Sequence, residues 1–351
     1  MAARKLISLD AMGGDSAPDM VVEGAEIALR RFPDTRFLLF GDEPRLAPLL
    51  AARPAVAAAS TIRHAPDAIT GDAKPSVALR TGRASSMRLA IDAVRAGEAD
   101  GVVSAGNTGA LMAMAKFVLK TLASTDRPAI ASLSPPLRGE SVMLDLGANV
   151  DCTADNLVQF AVMGDAFART VLGVAQPTIG ILNVGSEDLK GHDSVRAAAA
   201  ALRAGPLASQ FHGFVEGNDI TAGTTDVVVT DGFTGNVALK TAEGTARLYS
   251  EFLRGAFRSS LSAKLGYLFA RNALGKVRER LDPRRYNGAM FLGLNGVVVK
   301  SHGGTDALGF ANAICVAADM IANGINDRIR DELGKVAPAP VVASAPGATG
   351  E

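Results

Sequence analysis

Residues 101–120 read GVVSAGNTGALMAMAKFVLK, and three local signals follow one another within them. Val102 and Val103 centre a short apolar run that predicts a buried strand. Ser104 to Gly109 form a loop of small polar residues, and Leu111, Met114, Phe117 and Val118 then recur at helical spacing. The loop therefore lies where a strand hands over to a helix. The first amides of a helix have no partner within it, and its dipole is positive there, so anions are favoured and glycines let them approach the backbone. The stretch reads as a phosphate cradle with Ser104, Asn107, Thr108 and Gly109 as candidate contacts. A plain turn in which Asn107 or Thr108 caps the helix is the alternative.

The same junction recurs along the chain. Continuous apolar runs predict strands at 5–9, 36–40, 101–104, 130–133, 142–146, 178–183, 226–230 and 297–300, as suits strands covered on both faces. Helical patterns fall at 20–30, 85–96, 110–122, 154–172, 194–204, 237–257 and 307–323. This alternation implies a doubly wound, mainly parallel α/β sheet in one domain over 1–335, with ligands beyond the carboxyl ends of the strands. Six glycine-bearing polar loops follow such strands, beginning at Asp10, Ser104, Gly147, Gly185, Asp231 and Ser301, and are expected to line one edge. Asn183, Ser186, Thr234, Gly235 and Asn236 form a second set of phosphate candidates. Residues 336–351, rich in Ala, Pro and Gly, are expected to be a disordered tail.

Composition narrows the function. The 351-residue chain is 48% hydrophobic, carries 36 basic and 36 acidic residues, and is only 5% aromatic. Nothing there supplies the basic field or stacking rings of a nucleic-acid binder. Cys152 and Cys315 are the only cysteines, without metal-ligand spacing, which fits a reducing compartment. No apolar run approaches the roughly 18 to 20 residues of a membrane span. The expectation is a soluble, cytoplasmic protein.

Seven motifs, DAMGGDSAP, VSAGNTGALMA, MLDLGANVDC, NVGSEDLKG, TDGFTGNVALK, YNGAMFLGLNG and KSHGGTDALGF, occur in that order. Together they resemble the phosphate acyltransferases of bacterial phospholipid synthesis, over about residues 4 to 330. The resemblance implies transfer of a fatty acyl group from acyl carrier protein to inorganic phosphate, giving an acyl phosphate. It also implies a Rossmann-like fold similar to phosphotransacetylases and isopropylmalate-type dehydrogenases, a homodimer, and no nicotinamide or metal cofactor. Lys190, in the GSEDLKG loop, falls where the resemblance places a phosphate-binding or charge-stabilising lysine.

The residues themselves agree with such a reaction. Phosphate brings its own nucleophilic oxygen, so the protein must supply an anion site, oxyanion donors and placement rather than a Ser-His-Asp triad. Asp231 and His302 are candidates to move a proton or orient phosphate, against plain capping roles. Cys152 is an alternative acyl acceptor, with no base recognisable beside it. A coenzyme A-dependent phosphotransacetylase, an isopropylmalate-type dehydrogenase and a non-catalytic scaffold remain alternatives.

One region departs from the balanced charge. From Arg254 to Arg285 there are nine basic and two acidic residues, a local charge of +7. Apolar residues recur there at three to four residues, predicting a basic amphipathic helical projection at about 245–285. Arg254, Phe257, Arg258, Leu261, Lys264, Leu265, Leu268 and Phe269 would meet an anionic membrane, at the inner face of the cell membrane, or the acidic carrier protein. A helix pair buried in a dimer interface is the bland alternative. A membrane glycerol-phosphate acyltransferase that consumes the acyl phosphate is an expected partner.

Overall fold

The computed structural model describes residues 5–123 and 125–335, so the tail expected at 336–351 lies outside the described residues. The chain begins β1 (Lys5–Asp10), α1 (Asp19–Arg31), β2 (Thr35–Gly41), α2 (Glu43–Ala51), α3 (Pro54–Ala59), β3 (Ser60–His64), α4 (Pro75–Thr81), α5 (Ser86–Arg95), β4 (Gly101–Ser104) and α6 (Thr108–Leu119). Next come β5 (Ala129–Ser134), β6 (Ser141–Leu144), α7 (Ala154–Val171), β7 (Ile179–Leu182), α8 (Asp193–Ala204), β8 (Phe211–Val215), α9 (Gly217–Ala222) and β9 (Val227–Val229). A long helical pair follows, α10 (Gly232–Arg258) and α11 (Leu261–Arg280), then β10 (Ala289–Leu292), β11 (Val297–Lys300), α12 (Ala307–Ala322) and α13 (Ile325–Lys335).

The strands form one sheet in the order β3-β2-β1-β4-β11-β10-β5-β6-β9-β7-β8. Successive residues of a strand face opposite sides, so the all-apolar strands feed two cores. Val103, Val299 and Leu144 meet α1, α7 and α12 on one side, while Val102, Val298 and Met143 meet α5 and α6 on the other. Burying each large apolar side chain there contributes about 1.5–3 kcal/mol.

Seven of the ten strand pairings are parallel, as expected of a mainly parallel sheet. The three antiparallel ones, β11–β10, β10–β5 and β5–β6, correct the picture of a single loop-lined edge. Three reversals turn β6, β9 and β7 against β1, β4 and β11. The six loops therefore leave the sheet as two groups of three, in opposite directions.

Register brings the two groups level. Lys300 pairs with Ala289, and the next residue, Met290, pairs with Ala131, which pairs with Leu144. The ends of β11 and β6 thus lie within about one residue of the same row, roughly 3.4 Å, and three strand spacings apart, roughly 14 Å. Only β10 and β5 separate them.

Candidate active site

The first group of loops follows β1, β4 and β11. Asp10, buried at the end of β1, accepts hydrogen bonds from the Ser86 and Ser104 hydroxyls, each at 2.6 Å. Burial pushes its pKa up, opposed by those two bonds. Gly13 is required where the loop folds back, because a Cβ there would stand 2.4 Å from the Asp10 carboxylate. Ser301 donates its amide to Ser104 O, and Asp15 donates its amide to Gly303 O, so the three loops are knitted together.

Within this group, Ser104 is fully buried, and its hydroxyl also accepts from the Gly106 amide at 3.0 Å. It shapes the loop rather than offering a free donor. Asn107 is the N-cap of α6: Oδ1 accepts from the Ala110 amide at 2.8 Å, while Nδ2 donates to Gly71 O and Ala73 O. The side chains of these two phosphate candidates are therefore already committed. Thr108 is exposed, and Gly109 packs beside Pro75; they occupy the first turn, whose amides find no acceptor within a helix. His302 is exposed and sits in the same group, with its amide donating to Asn287 and Nδ1 accepting from the Gly304 amide at 3.2 Å. Among the described residues Nε2 has no hydrogen-bond partner.

Lys300, the first residue of KSHGG, is a member of this group that its charge alone did not single out. The residue is only 9% exposed, and its Nζ donates to Ala105 O at 3.5 Å and to Ser301 O. Burial lowers its pKa to about 8, partly offset by the charges of Asp10 and Asp15, while Lys240 lowers it further. A lysine closing an all-valine strand and leading straight into a glycine loop was the available signal.

The second group follows β6, β7 and β9. Asp145 accepts from the amides of Ile130, Gly147, Ala148 and Asn149 and from Asn149 Nδ2, which folds the GANVD loop around its carboxylate. Asp231 is the N-cap of α10, with Oδ1 accepting the Thr234 amide at 2.7 Å and Oδ2 the Thr234 hydroxyl at 3.0 Å. Thr234 is thereby spent, and the anion position at this helix start holds the protein's own carboxylate. Gly235 permits close packing, since a Cβ would lie 1.9 Å from Asp145 O.

Asn236 is exposed and lies beside Gly147. Asn183 Nδ2 closes its own loop onto Gly185 O and Lys190 O, both at 3.1 Å. Ser186 is exposed, and Lys190 is half exposed with its Nζ 2.8 Å from Glu187, a bond that raises the lysine pKa. Cys152 is half-buried, and burial with the nearby Asp145 and Asp231 charges pushes its thiol up to about 11. A thiol held that high is a poor nucleophile at neutral pH, which weighs against an acyl-cysteine.

The structure thus gathers Ser104, Asn107, Thr108, Gly109 and His302 in one group, and Asn183, Ser186, Lys190, Asp231, Thr234, Gly235 and Asn236 in the other. Helix α10 links them. It starts in the second group, and Lys240 on its third turn is close enough for its charge to act on Lys300 in the first.

The basic segment stands apart from both. Helices α10 and α11 form a hairpin in which only Gly232 and Gly235 are buried. Leu261, Leu265, Leu268 and Phe269 are exposed, Phe269 by 86%, and so are Arg254, Arg258 and Lys264. Phe257 is half-buried edge-on to Tyr267, 5.5 Å between ring centres, and braces the two helices.

The Fatty acid synthesis protein family matches residues 6–328. A phosphate acyltransferase of Rhodospirillum centenum is 71% identical over 97% of this chain and 96% of its own length. The chain belongs to the bacterial phosphate acyltransferase family. A phosphate acyltransferase of Rhodospirillum rubrum is 64% identical, over 98% of this chain and 99% of its own. Among solved structures, a phosphotransacetylase from Streptococcus pyogenes aligns with a TM-score of 0.62 at 18% identity, covering 92% of this chain and 95% of its own. A branched-chain phosphotransacylase from Enterococcus faecalis aligns at 0.57 and 13% identity, over 90% and 99% of the two chains. These two share the doubly wound α/β fold. By family, the chain is an acyltransferase that forms acyl phosphate.

Proposed function

We propose that the acyl donor is a fatty acyl-acyl carrier protein and the acceptor inorganic phosphate, joined in a ternary complex. A phosphate oxygen attacks the thioester carbonyl carbon, a C–O bond forms, the C–S bond breaks, and the thiol departs as acyl phosphate is made. The observation that carries this reading is the match to phosphate acyltransferases across nearly the whole chain. The level placement of the two loop groups supports it, since phosphate on the α6 turn and a thioester near the α10 start would be neighbours.

The protein acts in this reading as a homodimer in the cytoplasm, peripherally at the inner face of the membrane. The exposed hairpin, apolar along one stripe and basic around it, supports contact with anionic lipid or the acidic carrier protein. A mixed anhydride is readily hydrolysed, so a membrane acyltransferase that esterifies glycerol phosphate would consume it. The deciding assay is phosphate-dependent thiol release from a long-chain acyl carrier protein beside the matching acyl coenzyme A. Release from the carrier alone is expected; release from coenzyme A alone would reassign the donor. Flotation with anionic vesicles should carry the protein upward, and its complete retention in the soluble fraction would remove the membrane contact.

A further inference from the structure

Lysines that end strands ordinarily extend their ammonium into water, but Lys300 is folded under the loops that follow β1 and β4. Its two hydrogen-bond acceptors are the neutral carbonyls Ala105 O and Ser301 O, and an ammonium has three protons to give. Asp10 and Asp15 face it, but neither comes within ion-pair distance, and Asp10 is already held by two serine hydroxyls. The charge of Lys240 on α10 also reaches it, although that exposed ammonium is paired with Glu243 at 2.7 Å, and His302 follows in its own loop. A buried positive charge without an anion in contact is expensive. An anion on the proton that the two carbonyls leave unused would relieve it. One carbonyl that Lys300 touches belongs to Ala105, in the loop that leads into α6, where Asn107 takes the Ala110 amide and the amides of Thr108 and Gly109 favour an anion.

We propose that Lys300 is the fixed positive charge of the phosphate seat, pairing with the anion where the loop after β4 enters α6. The inference rests on the acyl-to-phosphate reading above and adds a buried cation to the exposed Lys190 of the other loop group. With its pKa held near 8, Lys300 carries its proton at neutral pH and loses it in mildly alkaline solution unless phosphate is bound. Phosphate affinity should therefore fall as pH rises past about 8, and binding there should recharge the lysine.

Inorganic phosphate is the probe. In Lys300→Met the KM for phosphate should rise roughly 10- to 100-fold, while the KM for the acyl donor stays within about twofold. The rise in Tm that phosphate gives the wild type should disappear, and the variant-to-wild-type ratio of phosphate KM should shrink above about pH 8. The wild type alone supplies a second test, independent of whether the variant folds. Phosphate-binding calorimetry near pH 9, in two buffers of different ionisation enthalpy, should register uptake of close to one proton per phosphate. An unchanged phosphate KM in folded Lys300→Met, or no proton uptake by the wild type, would overturn the assignment. If the wild type releases no thiol from either donor, the reaction reading fails instead, and the calorimetry still decides for or against Lys300.

Discussion

The two loop groups share one plan, an apolar strand, a glycine-bearing polar loop and a helix, yet the helix starts after β4 and β9 are filled differently. After β6 and β9 the loop amides and the helix start are filled by the protein's own carboxylates, Asp145 and Asp231. After β4 the helix start is capped by a neutral amide, Asn107, and the loop holds a buried ammonium, Lys300, near the Asp10 carboxylate, which the Ser86 and Ser104 hydroxyls already occupy; after β11 the start of α12 is capped by Asp306. A glycine loop at a helix start is thus not in itself an anion site. What decides is whether a side chain of the same protein already occupies it.

The largest effect that tests this contrast is in the second group. Asp145→Ala would strip the acceptor from five donors and should destabilise the fold by at least about 3 kcal/mol, seen as a lower urea midpoint. A midpoint near the wild type's would mean the loop does not depend on its internal carboxylate.

The opposite sign is expected in the first group. The folded pKa of Lys300 lies below its unfolded value, so the unfolded chain binds more protons between them and stability should rise with pH there. The buried charge therefore costs its full amount below about pH 8 and progressively less up to about 10.5. Without phosphate, Lys300→Met should gain up to about 3 kcal/mol at pH 7, and the gain should fade as pH approaches 10.5. Thermal melts of both proteins across that range check the sign.

Two smaller changes sharpen the comparison. Asp231→Ala removes one helix cap and should lower stability by about 1 kcal/mol; circular-dichroism melts would show it. Cys152→Ala should leave steady-state turnover within about twofold, because a thiol this weakly acidic forms no acyl intermediate. Loss of activity on that substitution would bring covalent catalysis back.

Much of this architecture was legible in the residues. The runs at 101–104 and 297–300 became β4 and β11 with the same bounds, and the helices at 20–30 and 154–172 became α1 and α7 within a residue or two. Strands β3, β8 and β10 were missed, the first two at the ends of the sheet where apolar runs are weak. The short run Ala289–Leu292 went unread although Asn295-Gly296 before β11 carries a hairpin signal. That omission hid the reversal that splits the loops into two groups, since an apolar run does not state its pairing sense. Among candidate residues, their gathering at strand ends was legible, but their commitments were not. Whether Ser104 and Asn107 are free depends on Asp10, Ser86 and the 71–73 backbone, all distant in sequence. The position of Lys300 was legible, but its burial was not, because the loop after β4 that contacts it is distant in sequence.

Helix α10 also serves as a ruler. Its 27 residues span about 40 Å, from the Asp231 cap past Lys240 to the exposed turn at Arg258. From Lys240 to that turn is about 27 Å of uninterrupted helix. The separation between the buried ammonium and whatever surface the hairpin touches is thus set by a single rigid segment. Adding or removing one turn of α10 beyond Lys240 would move the contact surface by about 5.4 Å and leave the loops around Lys300 in place.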